Sequence, residues 1–231
     1  MENYFEKTKK LLENRRVRKT VGWLISLAFF LLLLWFVGLF RTPGHYRITN
    51  PPADAYASQY LTNYILPQLL NKSQYDQPFD LVISEEGIND IIVRHIDANS
   101  LRQSNLSNIS VTFTKKRILL TGKTVYCGLD FIITVVLKPY INRKGYFFLK
   151  VPKIQAGTSR IPFAVSAARE RILQELAGFL NDLDIADSTE AVLNSRRIEP
   201  VFSINHRKLR INKITIQDKE LIIHFLPGQD K

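Results

Sequence analysis

Cysteine is almost missing from this chain: Cys127 is the single one among 231 residues. An intramolecular disulfide is therefore excluded, and any folded part must be held by its own core. The bland reading of Cys127, a small apolar side chain buried in a strand, outweighs a nucleophilic one. Histidine is also scarce. His45, His95, His206 and His224 lie far apart, without H-E-x-x-H or Cys-His spacing to bring ligands onto one helix, so neither a metal site nor a cofactor is signalled. A G-x-S-x-G elbow, a Walker loop and a G-x-G-x-x-G turn are absent too. The adjacent Glu85 and Glu86 are accounted for by a helix start, so no catalytic residue is expected and the chain is read as non-enzymatic.

Acidic side chains are in deficit: 21 Asp and Glu face 32 Lys and Arg, a net charge of +11. A basic balance of this size often marks a nucleic-acid binder, but no finger, basic zipper or RNP-like motif accompanies it. The charge also divides. Residues 1–40 carry seven basic and three acidic groups, net +4, which leaves a diffuse +7 on the remainder. Nucleic acid is therefore not expected as a partner, and attraction to anionic lipid or an envelope polymer is the simpler expectation.

Long hydrophobic runs are lacking except for one. Residues 21–40 contain 17 apolar side chains, broken only by Gly22, Ser26 and Gly38. As a helix this segment would measure about 30 Å, the thickness of a bilayer's hydrocarbon core. It exceeds the roughly 7–15 residues of a signal-peptide core, and no small-x-small cleavage site precedes residues 41–44, so an uncleaved anchor is expected. Trp23 suits an interfacial position, whereas Trp35, less terminal, is expected to face lipid.

Basic residues Arg15, Arg16, Arg18 and Lys19 crowd the N-terminal flank, while only Arg41 and Arg47 follow the span closely. By the positive-inside rule the N-terminus stays in the cytoplasm and the remainder is exported. The expected layout is a basic tail over 1–20, a transmembrane helix over 21–40, a stalk over 41–52 and an extracytoplasmic domain over 53–231. The protein would then sit in the cytoplasmic (inner) membrane of a cell with an envelope.

Along the exported part, Tyr56, Tyr60, Leu61, Tyr64, Ile65 and Leu69 recur at helical spacing over 53–70, with Pro67 kinking the last turn. Residues 71–78 read as a polar connection. A strand at 79–83 stops at Ser84, an N-cap for a helix whose buried stripe is Ile88, Ile91, Ile92 and Ile96. Asn89 within that helix is expected to satisfy backbone groups at a strand end. A hairpin follows over 109–126, then strands at 129–137 and 146–151 that carry apolar residues on both faces. Pro152 indicates an edge or a bulge. An amphipathic helix from 161 to 180 and a closing hairpin over 209–225 complete an α+β order with an antiparallel sheet.

The succession Phe79-Asp-Leu-Val-Ile-Ser-Glu-Glu-Gly-Ile-Asn89, a hairpin, a long apolar strand, Gly145-Tyr-Phe-Phe-Leu-Lys-Val-Pro-Lys-Ile-Gln-Ala-Gly157, Ile161-Pro162, a helix and a closing hairpin resembles small anchored bacterial envelope proteins of the YpmS and LmeA type. Those resemble one half of the tubular lipid-binding superfamily. The resemblance covers residues 79–226 and rests on Ser84, Asn89, Gly157 and Pro162. It implies a curved antiparallel sheet packed on a long amphipathic helix around an acyl-chain groove. The extra helix at 53–70 departs from that pattern and would cap or fill the groove.

The resulting expectation is a non-catalytic, membrane-anchored protein that binds or guides membrane lipid. Its groove would be lined by Phe131, Ile133, Val135, Leu137, Phe147 and Leu149. The rival is a structural or scaffolding module that holds an envelope protein or anionic polymer at the membrane.

Overall fold

A computed structural model of the chain describes residues 15–47, 57–95, 106–126, 128–161, 199–204 and 207–228. Its first element, α1 (Arg15–Phe40), includes a stretch, Val17–Phe40, long and apolar enough to cross a membrane. Leu24, Phe29, Phe30 and Leu32 on it are exposed, unlike the side chains of a core helix. Residues 15–20 continue this helix instead of forming part of a separate tail. Residues 1–14 of the expected tail, 48–56 of the stalk and following helix, Cys127 and all but Ile161 of the helix expected over 161–180 lie outside the described residues.

The fold is α+β, but with two antiparallel sheets where one curved sheet is expected. The first contains β2 (Leu106–Thr114), β3 (Arg117–Tyr126), β4 (Leu129–Ile141), β5 (Phe147–Ala156) and β6 (Ser159–Arg160), in chain order. In the second, β1 (Phe79–Ser84) pairs with β9 (Glu220–Pro227), followed by β8 (Arg207–Gln217) and β7 (Val201–Ile204). The first strand therefore zips onto the last, Phe79 opposite Phe225.

What divides the sheets is α3 (Glu85–His95), which follows β1 directly. Ser84 Oγ accepts the Gly87 N–H at 3.0 Å, the N-cap expected from sequence. One turn in, Asn89 Oδ1 accepts the Val111 N–H at 2.7 Å and its Nδ2 donates to the carbonyls of Val111 and Glu85, both at 2.7 Å. The buried Glu85 carboxylate accepts the Phe113 N–H at 2.7 Å. Two side chains four residues apart thus satisfy the outer edge of β2, where a further strand would otherwise pair. Glu85 is more than a dipole partner at a helix start.

The sheets are rejoined at their turns. Lys116 N–H donates to the Ile216 carbonyl at 3.1 Å and Lys219 N–H to that of Phe113 at 3.2 Å, while Ile216 packs on Val111 and Phe113.

The helix expected over 53–70 packs on the second sheet, in a cluster that Ile141 of β4 also joins. Ile65 is buried with Leu81, Leu209, Ile211 and Phe225, and Tyr60, Leu61 and Leu69 pack around them. The expected kink is instead a π-helical turn (Leu61–Ile65) leading into α2 (Leu66–Ser73). Leu66 N–H reaches back to Leu61, and Pro67, which has no N–H to give, follows at the start of α2. The helix runs on to Ser73, into the segment read as a polar connection. Pro152 sits where the β4–β5 register shifts, between the pairs Val136 with Lys153 and Lys138 with Lys150, the bulge its sequence indicates.

Candidate functional site

The register of β4 and β5 places the six sequence-selected residues on one face of the first sheet. Alternation puts Phe131, Ile133, Val135 and Leu137 on the same side of β4. Ile133 pairs with Ala156 and Val135 with Ile154. Beyond the bulge Pro139 pairs with Leu149 and Ile141 with Phe147, which brings Leu149 and Phe147 to the same side. Across β3, Leu120 faces Val135 and Ile118 faces Leu137, and on β2 Val111 and Phe113 extend the row. The result is a continuous apolar face across four strands, on which the six are half-buried.

The other face of β4 carries Ile132 and the buried Val136, which faces Leu119, as its sequence suggests, but with a polar row between them. Register aligns Ser110, Thr121, Thr134 and Gln155 in one row across the sheet. Thr121 and Thr134 are almost wholly buried and their hydroxyls lie 3.4 Å apart. The segment after α1, read as a stalk, covers this row: Pro43 is buried and His45 Nε2 lies 3.1 Å from Thr134 Oγ1. The Thr112 hydroxyl donates to the His45 carbonyl at 3.4 Å. Burial and, secondarily, the Lys153 charge hold the His45 pKa below its usual 6.5. Tyr46 Oη and Ser110 Oγ are buried there without a hydrogen-bond partner. Sequence reading missed this row, although Thr134 is the one polar residue between Phe131 and Leu137.

At one end the sheet is clamped to α1. A helix leaves its last carbonyls unpaired, and here the β5–β6 turn supplies partners. Thr158 donates to the Gly38 carbonyl from its N–H at 2.9 Å and its hydroxyl at 3.2 Å, and Ser159 Oγ donates to the Trp35 carbonyl at 2.7 Å. Trp35, expected to face lipid, returns its indole N–H to the Arg160 carbonyl at 3.2 Å. Two glycines allow this approach: a Cβ on Gly157 (φ +54°) would overlap the carbonyl oxygens of Gly38 and Leu39, and one on Gly38 would overlap Ser159 Oγ. The apolar face starts at this clamp, because the Phe40 and Phe131 rings are in contact.

Of the topology residues, Arg18 and Lys19 are exposed near the start of α1, and Arg15 and Arg16 form its first turn. Among the described residues, no three His, Cys, Asp or Glu side chains come together as a metal would require. His224 pairs with Asp80 at 2.6 Å on the second sheet, far along the chain from the six.

Comparisons of the chain with known protein families, with curated proteins and with solved structures found no match.

Proposed function

We propose that this chain is a single-pass membrane protein whose exported α+β domain holds or guides a lipid acyl chain along the apolar face of its first sheet, without catalysis. The observation that carries the reading is the contact between Phe40, at the end of the span, and Phe131, first of the six apolar residues. An acyl chain leaving the bilayer beside α1 would meet Phe131 and then Ile133, Val135 and Leu137 at two-residue steps, without crossing a charged side chain on that face. Burial of each methylene contributes about 0.8 kcal/mol, so a chain of modest length is held without any reacting group.

The clamp supports the same reading, since a domain fixed to its anchor keeps the entry to that face at the membrane. The orientation proposed is N-terminus in the cytoplasm, from Arg15, Arg16, Arg18 and Lys19, with the domain on the far side of the cytoplasmic membrane. The resemblance to the YpmS and LmeA type points to the same function.

The test is native mass spectrometry of the domain, released from membrane-assembled full chain by a protease site inserted after Arg41 and kept free of detergent. Reproducible mass increments matching membrane lipids are expected. Recovery of lipid-free domain alone would defeat the reading and favour a scaffold for an envelope protein or anionic polymer.

A further inference from the structure

The end of the first sheet that grips α1 carries a second apolar feature, and its position identifies its partner. Pairing between β4 and β5 ends at Ile133 and Ala156, and Gly157 N–H still reaches the Ile132 carbonyl at 2.7 Å before the chain turns towards α1. The β3–β4 hairpin continues for three more rungs, Thr124 with Phe131, Val125 with Asp130 and Tyr126 with Leu129. At about 3.3 Å per residue this ribbon overhangs the clamp by roughly 10 Å. The pairing of β2 stops at Thr124, so among the described residues the last two rungs have neither β2 nor β5 paired beside them.

On these rungs Val125 is 48% and Leu129 50% exposed. An unflanked strand pair with large apolar side chains in water is an association hazard, unless those side chains have a surface to enter. The surface at hand is the bilayer that α1 leaves. Phe131, two residues from Leu129, touches Phe40, and β6 is bonded to Trp35, which lies about 7.5 Å further into the span at 1.5 Å per helical residue. The charge on the tip, Asp130 opposite Val125, is paired with Lys123 at 2.7 Å, nearer the sheet.

We propose that the β3–β4 tip, through Val125 and Leu129, inserts into the leaflet that α1 exits and forms a second membrane contact beside the anchor. The proposal rests on α1 spanning the bilayer and is independent of whether the sheet holds lipid. Two contact points would fix the sheet's tilt and keep Phe131 at the level of the acyl chains.

The test uses full chain carrying Cys127→Ser and Leu129→Cys, labelled with an environment-sensitive fluorophore. It is reconstituted in phosphatidylethanolamine and phosphatidylglycerol vesicles that contain lipid with a nitroxide at acyl carbon 5. At least twofold quenching and a blue-shifted emission are expected at position 129 and, in a parallel Val125→Cys chain, at 125. A Lys116→Cys label at the opposite end of the hairpin should stay unquenched. A Leu129 label that behaves like the Lys116 label, while a Leu24→Cys label in the span is quenched, overturns tip insertion alone. An unquenched Leu24 label overturns the membrane anchor and the tip contact with it.

Discussion

The ring of Phe40, last residue of the apolar helix, lies 5.2 Å from the ring of Phe131 at an interplanar angle of 35°. The two residues are 91 positions apart in the sequence. What brings them together is the clamp between the β5–β6 turn and the carbonyl end of α1, which makes Gly157 the position most sensitive to change. Gly157→Val would combine a left-handed backbone strain of about 1–3 kcal/mol with overlap on the Gly38 and Leu39 carbonyls. The Thr158 amide, now bonded to Gly38, should exchange with deuterium at least tenfold faster in the detergent-solubilised chain, at unchanged overall secondary structure. Unaltered exchange would show that the clamp does not depend on this glycine.

Asn89 carries three hydrogen bonds at the edge of β2. Asn89→Ala would leave the Val111 N–H and carbonyl without their partner, at a cost of about 2–4 kcal/mol on the scale of unsatisfied buried groups. Urea unfolding followed by circular dichroism should show this as a lower midpoint. Glu85→Gln, which keeps an acceptor for the Phe113 N–H, should cost clearly less than Glu85→Ala. Equal losses would assign the effect to the charge and not to the hydrogen bond.

Stability should fall on mild acidification through His45. Its folded-state pKa is below the ordinary 6.5, chiefly from burial and then from Lys153, so between the two values the unfolded chain binds more protons. The contribution is complete above about pH 6.5 and declines as pH drops, until the folded-state value is passed. His45→Gln should flatten this part of the thermal-midpoint profile between pH 7 and 5. A profile identical to that of the parent chain would assign the acid sensitivity to other groups.

Filling the apolar face should displace lipid without removing apolar contacts. Ile133→Trp adds bulk at a half-buried position between Phe131 and Val135, and overpacking costs about 1–3 kcal/mol. Bound lipid, measured by native mass spectrometry of the released domain, should drop at least fivefold while circular dichroism is retained. Undiminished occupancy would place the lipid elsewhere.

Much of the local structure was legible in the chain. The Ser84 cap, the β2–β3 and β8–β9 hairpins, the Pro152 bulge and the backbone-bonding role of Asn89 follow from residue chemistry within a few positions of each site. The six residues selected by alternation along β4 and β5 share one face of the sheet. The single-sheet expectation failed because hairpins reveal only their own pairing. Nothing in Phe79 or Phe225 says that they are partners, and nothing in β2 says that side chains of a helix will close its edge. That part of the stalk packs on the sheet was not legible either: Pro and Gly mark a turn, but the hydroxyl row that His45 meets forms only when β2, β3 and β4 align.

By itself the sequence determined that one segment is long and apolar enough to cross a bilayer, that no disulfide can staple the chain, and which residues alternate towards a common face. Those properties depend on composition and on the 2.0 and 3.6 residue periods of the backbone, which need no partner to be expressed. Tertiary structure alone decided that there are two sheets, that the apolar helix is gripped by Thr158 and Ser159, and that the hairpin tip overhangs the end of the sheet nearest that helix. The first two rest on hydrogen bonds between residues distant in sequence, made where an edge or a helix end would otherwise leave polar groups unpaired.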